Sequence, residues 1–156
     1  MKQFDIIIWG ATSFTGKLVV EYLFKKFAST KIKWAIAGRN KEKLENVRSK
    51  VADKNIPIFI ADSFDEKSLS VIIKKSKVIC STVGPYSLYG SLLVELCVKH
   101  STNYCDITGE AHWIRTIIDK FHEDAKKKKI KIVNSCGFDS IPSDMGVYFI
   151  QNEIKK

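Results

Sequence analysis

The chain has little that would staple it, ligate a metal or cross a membrane. Four cysteines occur in 156 residues. Cys80, Cys97, Cys105 and Cys136 form no Cys-x-x-Cys pair, which argues against a zinc site or a thioredoxin-like motif. Cys80 and Cys105 stand in strand-like stretches and Cys97 on an apolar helix face, so these three read as small buried hydrophobes. The longest apolar runs, such as Ile6 to Trp9, are far shorter than the roughly 20 residues of a membrane span. No Asn-x-Ser/Thr sequon is present. Phe4 to Trp9 reads as a strand running into a glycine turn, not as the core of a signal peptide. The expected location is the cytosol or an organelle surface facing it. The three histidines, His100, His112 and His122, fall in helical or loop stretches and are expected on the surface. No metal is expected.

What the chain does have is enough apolar residue for a core, 45% of the total, in a length that suits one domain. Its net charge is +9, which would suit an acidic partner. The lysines, however, are dispersed (Lys25-Lys26, Lys74-Lys75, Lys126 to Lys129) over helix ends and polar faces. No aromatic residues interleave with them as a nucleic-acid-binding surface would require. A solvated lysine-rich surface is expected, with part of the charge available to a polyanionic cofactor.

Short apolar runs alternate with helical stripes along the whole chain. Strands are expected at Phe4 to Trp9, Ile32 to Ala37, Ile56 to Ala61, Val78 to Val83, Asn103 to Ile107 and Ile130 to Asn134. Between them lie stripes at helical spacing: Val20, Leu23, Phe24, Phe27; then Leu44, Val47, Val51; then Leu69, Ile72, Ile73; then Leu92, Leu93, Leu96, Cys97; then Ile114, Ile117, Ile118, Phe121, Ala125. A last helical segment is expected from about Ser143. Such alternation implies parallel βαβ units with both faces of the sheet covered. The expectation is a Rossmann-like, doubly wound α/β fold of six strands in the order 3-2-1-4-5-6, in a single domain spanning residues 1–156.

The first strand ends in Gly10-Ala11-Thr12-Ser13-Phe14-Thr15-Gly16, where a helix begins. A pyrophosphate needs such a turn: a first glycine without Cβ, backbone N–H groups at a helix N-terminus, and a last glycine that lets helix and strand pack closely. Ser13 takes the middle glycine's place, and Thr12, Ser13 and Thr15 add hydroxyls suited to capping. At the end of the second strand an acidic residue would bind a ribose 2′-hydroxyl and favour NAD. Ala37-Gly38-Arg39-Asn40 stands there instead. Arg39, with Asn40 and Lys43 nearby, suits a 2′-phosphate, hence NADP. Asp62 could accept from the adenine amino group or cap a helix. Ser81-Thr82-Val83-Gly84-Pro85 ends the fourth strand, and Gly84-Pro85 is expected to form a wall for the nicotinamide ribose. Tyr86, Asp106, Glu110, Cys136 and Asp139, at the later strand ends, are the acid–base candidates; each is equally readable as a turn or cap residue.

Five segments together resemble the saccharopine dehydrogenase-like oxidoreductases, and most closely their trans-acting enoyl reductase branch. They are Gly-Ala-Thr-Ser-Phe-Thr-Gly, Ala-Gly-Arg-Asn, Ser-Thr-Val-Gly-Pro-Tyr-Ser-Leu-Tyr-Gly, Tyr-Cys-Asp-Ile-Thr-Gly-Glu and Ser-Cys-Gly-Phe-Asp-Ser-Ile-Pro-Ser-Asp. The resemblance implies an NADP-type domain, with Gly10 to Gly16, Arg39-Asn40 and the Thr82 to Pro85 turn at the cofactor, followed by a second α+β domain. Members are usually more than twice this length, so the chain is expected to be an N-terminal fragment, inactive alone. The reaction implied is hydride transfer to or from a C=N or C=C bond of an amino-acid-derived or lipid-linked substrate. A homodimer, or peripheral attachment to a membrane or lipid droplet through an absent part, would be compatible. The alternative is an NADPH-binding scaffold or sensor that retains the fold without turnover.

Overall fold

The computed structural model describes residues 2–27, 29–51 and 55–155. Six strands form one parallel sheet: β1 (Phe4–Trp9), β2 (Trp34–Gly38), β3 (Ile58–Ile60), β4 (Ser76–Ser81), β5 (Asn103–Asp106) and β6 (Ile132–Val133). Their order is β3-β2-β1-β4-β5-β6. The strand order therefore reverses between β1 and β4, where the two halves wind away from each other and leave a crevice at the strand C-termini.

Alternate residues of the strands point to opposite faces, and each face meets its own helices. Ile8 and Ile36 pack with Val20 of α1 (Phe14–Phe27) and with Leu44 and Val47 of α2 (Lys41–Lys50). Ile7, Trp9, Ile79 and Tyr104 pack against α3 (Glu66–Lys75), with the four-residue α4 (Tyr86–Tyr89), α5 (Ser91–Lys99) and α6 (Ala111–Lys127) on the same side. Leu69, Ile72, Leu93 and Leu96 are at most 1% exposed, and burial of each such side chain is worth roughly 1.5–3 kcal/mol.

Several boundaries move. β4 starts at Ser76, because α3 passes into it without a loop; Ser76 is both the C-cap of α3 and the partner of Phe4. A hydroxyl and a lysine at its start hide this from an apolar-run reading. β3 and β6 shrink to three and two residues, as edge strands paired on one side only. α7 (Ile141–Ile154) starts two residues before Ser143, with Pro142 in its first turn, where a missing N–H costs no intrahelical bond.

Two expectations about burial need correcting. Cys97 is buried, but Cys80 and Cys105 are only half-buried. They are register partners on the α1 side of the sheet, and Val133, next in register to Cys105, is 46% exposed. Beyond the reach of α1 that half of the sheet is thinly covered. His100 is also half-buried, at the C-cap of α5 beside Ser70, and burial lowers its pKa. α7 buries none of its residues, and Tyr148, Phe149 and Ile150 are each more than half exposed. No helix among the described residues is long and apolar enough to cross a membrane.

Candidate functional site

The crevice opens at the first turn. Gly10 adopts φ +85°, and a Cβ there would lie 2.4 Å from Val83 Cγ2. A Cβ on Gly16 would lie 2.2 Å from the Gly10 carbonyl oxygen. Both positions therefore require glycine: one for the backbone reversal, the other so that α1 starts against the strand. Ser13 is more committed than its place in the motif suggests. Its amide donates to Gly10 O at 2.9 Å, and its Oγ accepts from Gly16 N at 2.9 Å, capping α1. The same hydroxyl lies 3.0 Å from Thr82 Oγ1, which donates to Gly10 O at 3.0 Å. Two hydroxyls thus tie the glycine turn to the end of β4, and Ser13 shapes the cradle through its backbone and cap. With Gly16 N taken by Ser13, the amides of Phe14 and Thr15 are the ones left at the start of α1 without an intrahelical acceptor, the kind of group that suits an anion.

A hollow of about 240 Å³ joins this turn to Gly38–Lys43 and Thr82–Gly84, and no carboxylate lines it. Arg39 is exposed and makes no ion pair or side-chain hydrogen bond among the described residues. The cap of α2 is Asn40, whose Oδ1 accepts from Lys43 N at 2.9 Å. Arg39 is therefore not spent on the helix start. Lys43 also lines the hollow.

Other residues fall outside its lining. Asp62 accepts from Phe64 N within its own turn, while Asp65 caps α3. Ser63, which the sequence reading did not single out, lines the hollow and is 4% exposed. A serine after an apolar strand carries no signal that could have found it. Ala11 is buried and Phe14 82% exposed. Thr15 and Ser81 are not in the lining either, and Pro85 is the N-cap residue of α4. Trp9 does line it, and Trp9 Nε1 is the buried side-chain nitrogen without a partner among the described residues.

The acid–base candidates have mostly structural partners. The Tyr86 hydroxyl is buried, donates to Ser81 O at 3.1 Å and accepts from Ile107 N; desolvation pushes its pKa up. Asp106, 1% exposed, accepts from Tyr104 Oη (2.9 Å), Asn134 Nδ2 (2.8 Å), Ser135 N (3.0 Å) and Thr108 N (3.1 Å). It clips β5 to the segment after β6. Glu110 accepts from Tyr86 N (2.5 Å) and Ser87 N (2.9 Å), the free amides at the start of α4, and the bonds to Ser87 foremost hold its pKa down. Burial pushes the Cys136 thiol up, the opposite of an activated thiolate. Asp139 is exposed, and its side chain has no bonded partner among the described residues. A larger hollow, about 320 Å³ between α6 and β6, is lined mostly by apolar residues such as Ile117, Phe121 and Ile132. It reaches Val133 and Asn134 at the end of β6 but contains no glycine turn and no helix N-terminus.

Residues 6–133 match the family model described as the saccharopine dehydrogenase NADP binding domain. The chain is 37% identical over 157 aligned residues to a lipid droplet localized protein of Caenorhabditis elegans, covering 97% of this chain and 37% of that protein. It is 38% identical over 155 to a trans-acting enoyl reductase of Mycobacterium leprae, covering 98% and 37%. Apo saccharopine dehydrogenase of Saccharomyces cerevisiae superposes with a TM-score of 0.71 at 15% identity, over 87% of this chain and 28% of that one; that likeness shows the fold. The chain thus spans little more than a third of the curated relatives it matches. With the glycine cradle and the acid-free, cationic end of β2 in place, this match settles the affiliation: the chain belongs to the saccharopine dehydrogenase NADP-binding domain family.

Proposed function

We propose that these residues are the cofactor half of a reductase that moves hydride to or from a C=C or C=N bond. The substrate would be lipid-linked or amino-acid-derived, with a further domain supplying the substrate wall. The observation that carries the reading is the acid-free crevice at the reversal of strand order. Its fit to NADP rests on three features. The Gly10–Gly16 turn is held tight by two glycines whose Cβ atoms would collide with Val83 and with the turn's own backbone, the close strand–helix junction that a pyrophosphate turn needs. Arg39 and Lys43 hold unspent positive charge where a 2′-phosphate would lie. Trp9 Nε1 is a buried donor lacking a protein acceptor.

In this reading the amides at the start of α1 hold the pyrophosphate, and Arg39 with Lys43 the 2′-phosphate. Gly84 and Pro85 bound the nicotinamide ribose. When bound, the cofactor supplies or accepts the hydride, while the chain orients it. Reduction also requires a proton at the second atom of the double bond. Tyr86, Asp106 and Glu110 are engaged in structural hydrogen bonds, which leaves the exposed Cys136 and Asp139, the substrate-side domain or water to deliver that proton. The enoyl reductase relative favours a C=C acceptor. The lipid droplet relative favours action at the surface of a droplet or membrane, reached from the cytosol.

Two measurements test this. NADPH should raise the unfolding temperature of these residues without being oxidised by enoyl thioesters or imines. A chimera carrying the remainder of the mycobacterial relative should oxidise NADPH with an enoyl thioester. A folded, NADPH-binding chimera inert toward every such acceptor would overturn the reductase reading.

A further inference from the structure

Beside the crevice runs a groove between α1 and α2, lined by Thr12, Lys17, Lys43, Asn46, Ser49 and Lys50. It shares Thr12 and Lys43 with the crevice. Lys17 stands one helical turn beyond Ser13, its amide donating to Ser13 O at 3.1 Å. With Thr12 and Lys43 it lines the groove. Lys17 and Lys43 are both exposed and form no ion pair among the described residues. Of the carboxylates nearby, Glu21 pairs with Lys25 at 2.6 Å and Glu45 with Lys41 at 3.9 Å, while Glu42, in the first turn of α2, lines neither the crevice nor the groove. Like charges brought to one groove without counter-charge repel each other, and an anion between them removes that repulsion. A phosphate monoester carries about −1.5 to −2 at neutral pH, so the guanidinium of Arg39 and a single lysine need not exhaust its capacity.

We infer that Lys17 is a further specificity-determining residue for NADP over NAD, closing on the 2′-phosphate from the α1 side opposite Arg39 and Lys43. This rests on the placement of the nucleotide in the crevice proposed above. Lys50 supplies an internal control. It lines the same groove, but it lies seven residues past Lys43, about 10 Å further along α2, a distance at which exposed charges are largely screened at 0.1 M salt.

The test is titration of the 156-residue protein with NADPH and with NADH at 0.1 M salt. The variants are Lys17→Gln, Lys17→Arg, Lys50→Gln and Arg39→Ala. Lys17→Gln should weaken NADPH about five- to tenfold, below the loss of a buried charged hydrogen bond because the site is solvated. It should leave NADH nearly unchanged, Lys17→Arg should restore most of the affinity, and Lys50→Gln should move neither. Equal losses for both cofactors on Lys17→Gln, or a loss no greater than that of Lys50→Gln, would overturn the inference. If Arg39→Ala still discriminates, the crevice reading survives that failure. If Arg39→Ala also fails to discriminate, the 2′-phosphate does not lie at this end, and both readings fall.

Discussion

At the scale of single residues, the cofactor turn works because two side chains are missing and two hydroxyls are present. Gly16→Ala puts a Cβ against the backbone of Gly10 and Ala11, at 2.2 and 2.9 Å. Backbone cannot give way as a flexible side chain can, so a loss of about 1–3 kcal/mol is expected, read as a lowered denaturation midpoint. Ser13→Gly should be mild, since glycine is an acceptable N-cap at a cost of a few tenths of a kcal/mol, although the link to Thr82 goes with it. Ser13→Leu should abolish NADPH binding in a folded protein, because the backbone there must approach the pyrophosphate. Full affinity in a folded Ser13→Leu variant would show that the cofactor lies elsewhere. Arg39→Ala should cost about 1.5–3 kcal/mol of NADPH affinity, the scale of a hydrogen bond to a charged group. NADH affinity should hardly change, and titration calorimetry with both cofactors separates the two outcomes.

At the scale of elements, α4 shows how a short helix survives. Four residues are too few to be stable alone, and no side chain of its own N-cap, Pro85, can help. Glu110, from the far side of β5, accepts from its first two amides, while Tyr86 anchors it beneath against Trp113 at 5.5 Å between ring centroids. This predicts a pH dependence. The folded pKa of Glu110 lies below its ordinary value of 4.5. Its contribution is therefore complete above that value and is lost as pH falls through the lower, folded pKa. Asp5, Asp65 and Glu66 are shifted the same way by their own partners, so wild-type acid destabilisation is a sum. Glu110→Gln should reduce the slope of stability against pH below 4.5 and leave the rest. Unfolding midpoints of both proteins between pH 3 and pH 6 (about the range where carboxylates titrate) give the difference; identical slopes would remove Glu110 from the account.

At the scale of the molecule, the sheet is covered unevenly. Its centre, β1 and β2, is closed on both faces, whereas Ile60 at one edge, Cys105 and Val133 toward the other, and the whole of α7 remain open. Tyr86 takes no part in the exposed apolar surface. Tyr86 is 6% exposed under α4, and the exposed surface runs from Phe138 (88%) along α7 to Ile154 (73%). Exposed apolar surface of that extent marks an interaction face. These 156 residues should unfold cooperatively, with a transition raised by NADPH: at a hundredfold excess over Kd, binding adds about 2.7 kcal/mol. They should not turn over substrate, since a one-sided crevice cannot hold an acceptor about 3–3.5 Å from the nicotinamide carbon. They should also self-associate, and the double substitution Tyr148→Asp, Ile150→Asp should shift sedimentation toward the monomer without lowering the melting temperature. Measurable turnover by this chain alone would refute the requirement for a second domain.

Local chemistry was enough to read the sheet and its cofactor turn. Apolar runs of about six residues alternating with helical stripes admit few arrangements, because right-handed crossovers and burial on both faces prune the rest; the strand order followed. The glycine turn and the missing acid after β2 were likewise legible, since a turn's demand for glycine and a phosphate's demand for cations are properties of the residues themselves. Contacts remote in sequence decided what remained. Only the packed sheet brings Glu110 to the first amides of α4, and only β6 lying beside β5 adds Asn134 and Ser135 to the two donors that Asp106 has nearby in the chain. Those carboxylates look like acids available for catalysis until their partners, 2 to 29 positions away, are seen. Lys17 was invisible for the same reason. Its distance from Lys43 along the chain says nothing, whereas the packing of α1 and α2 on one face of the sheet brings the two cations into one groove with Thr12.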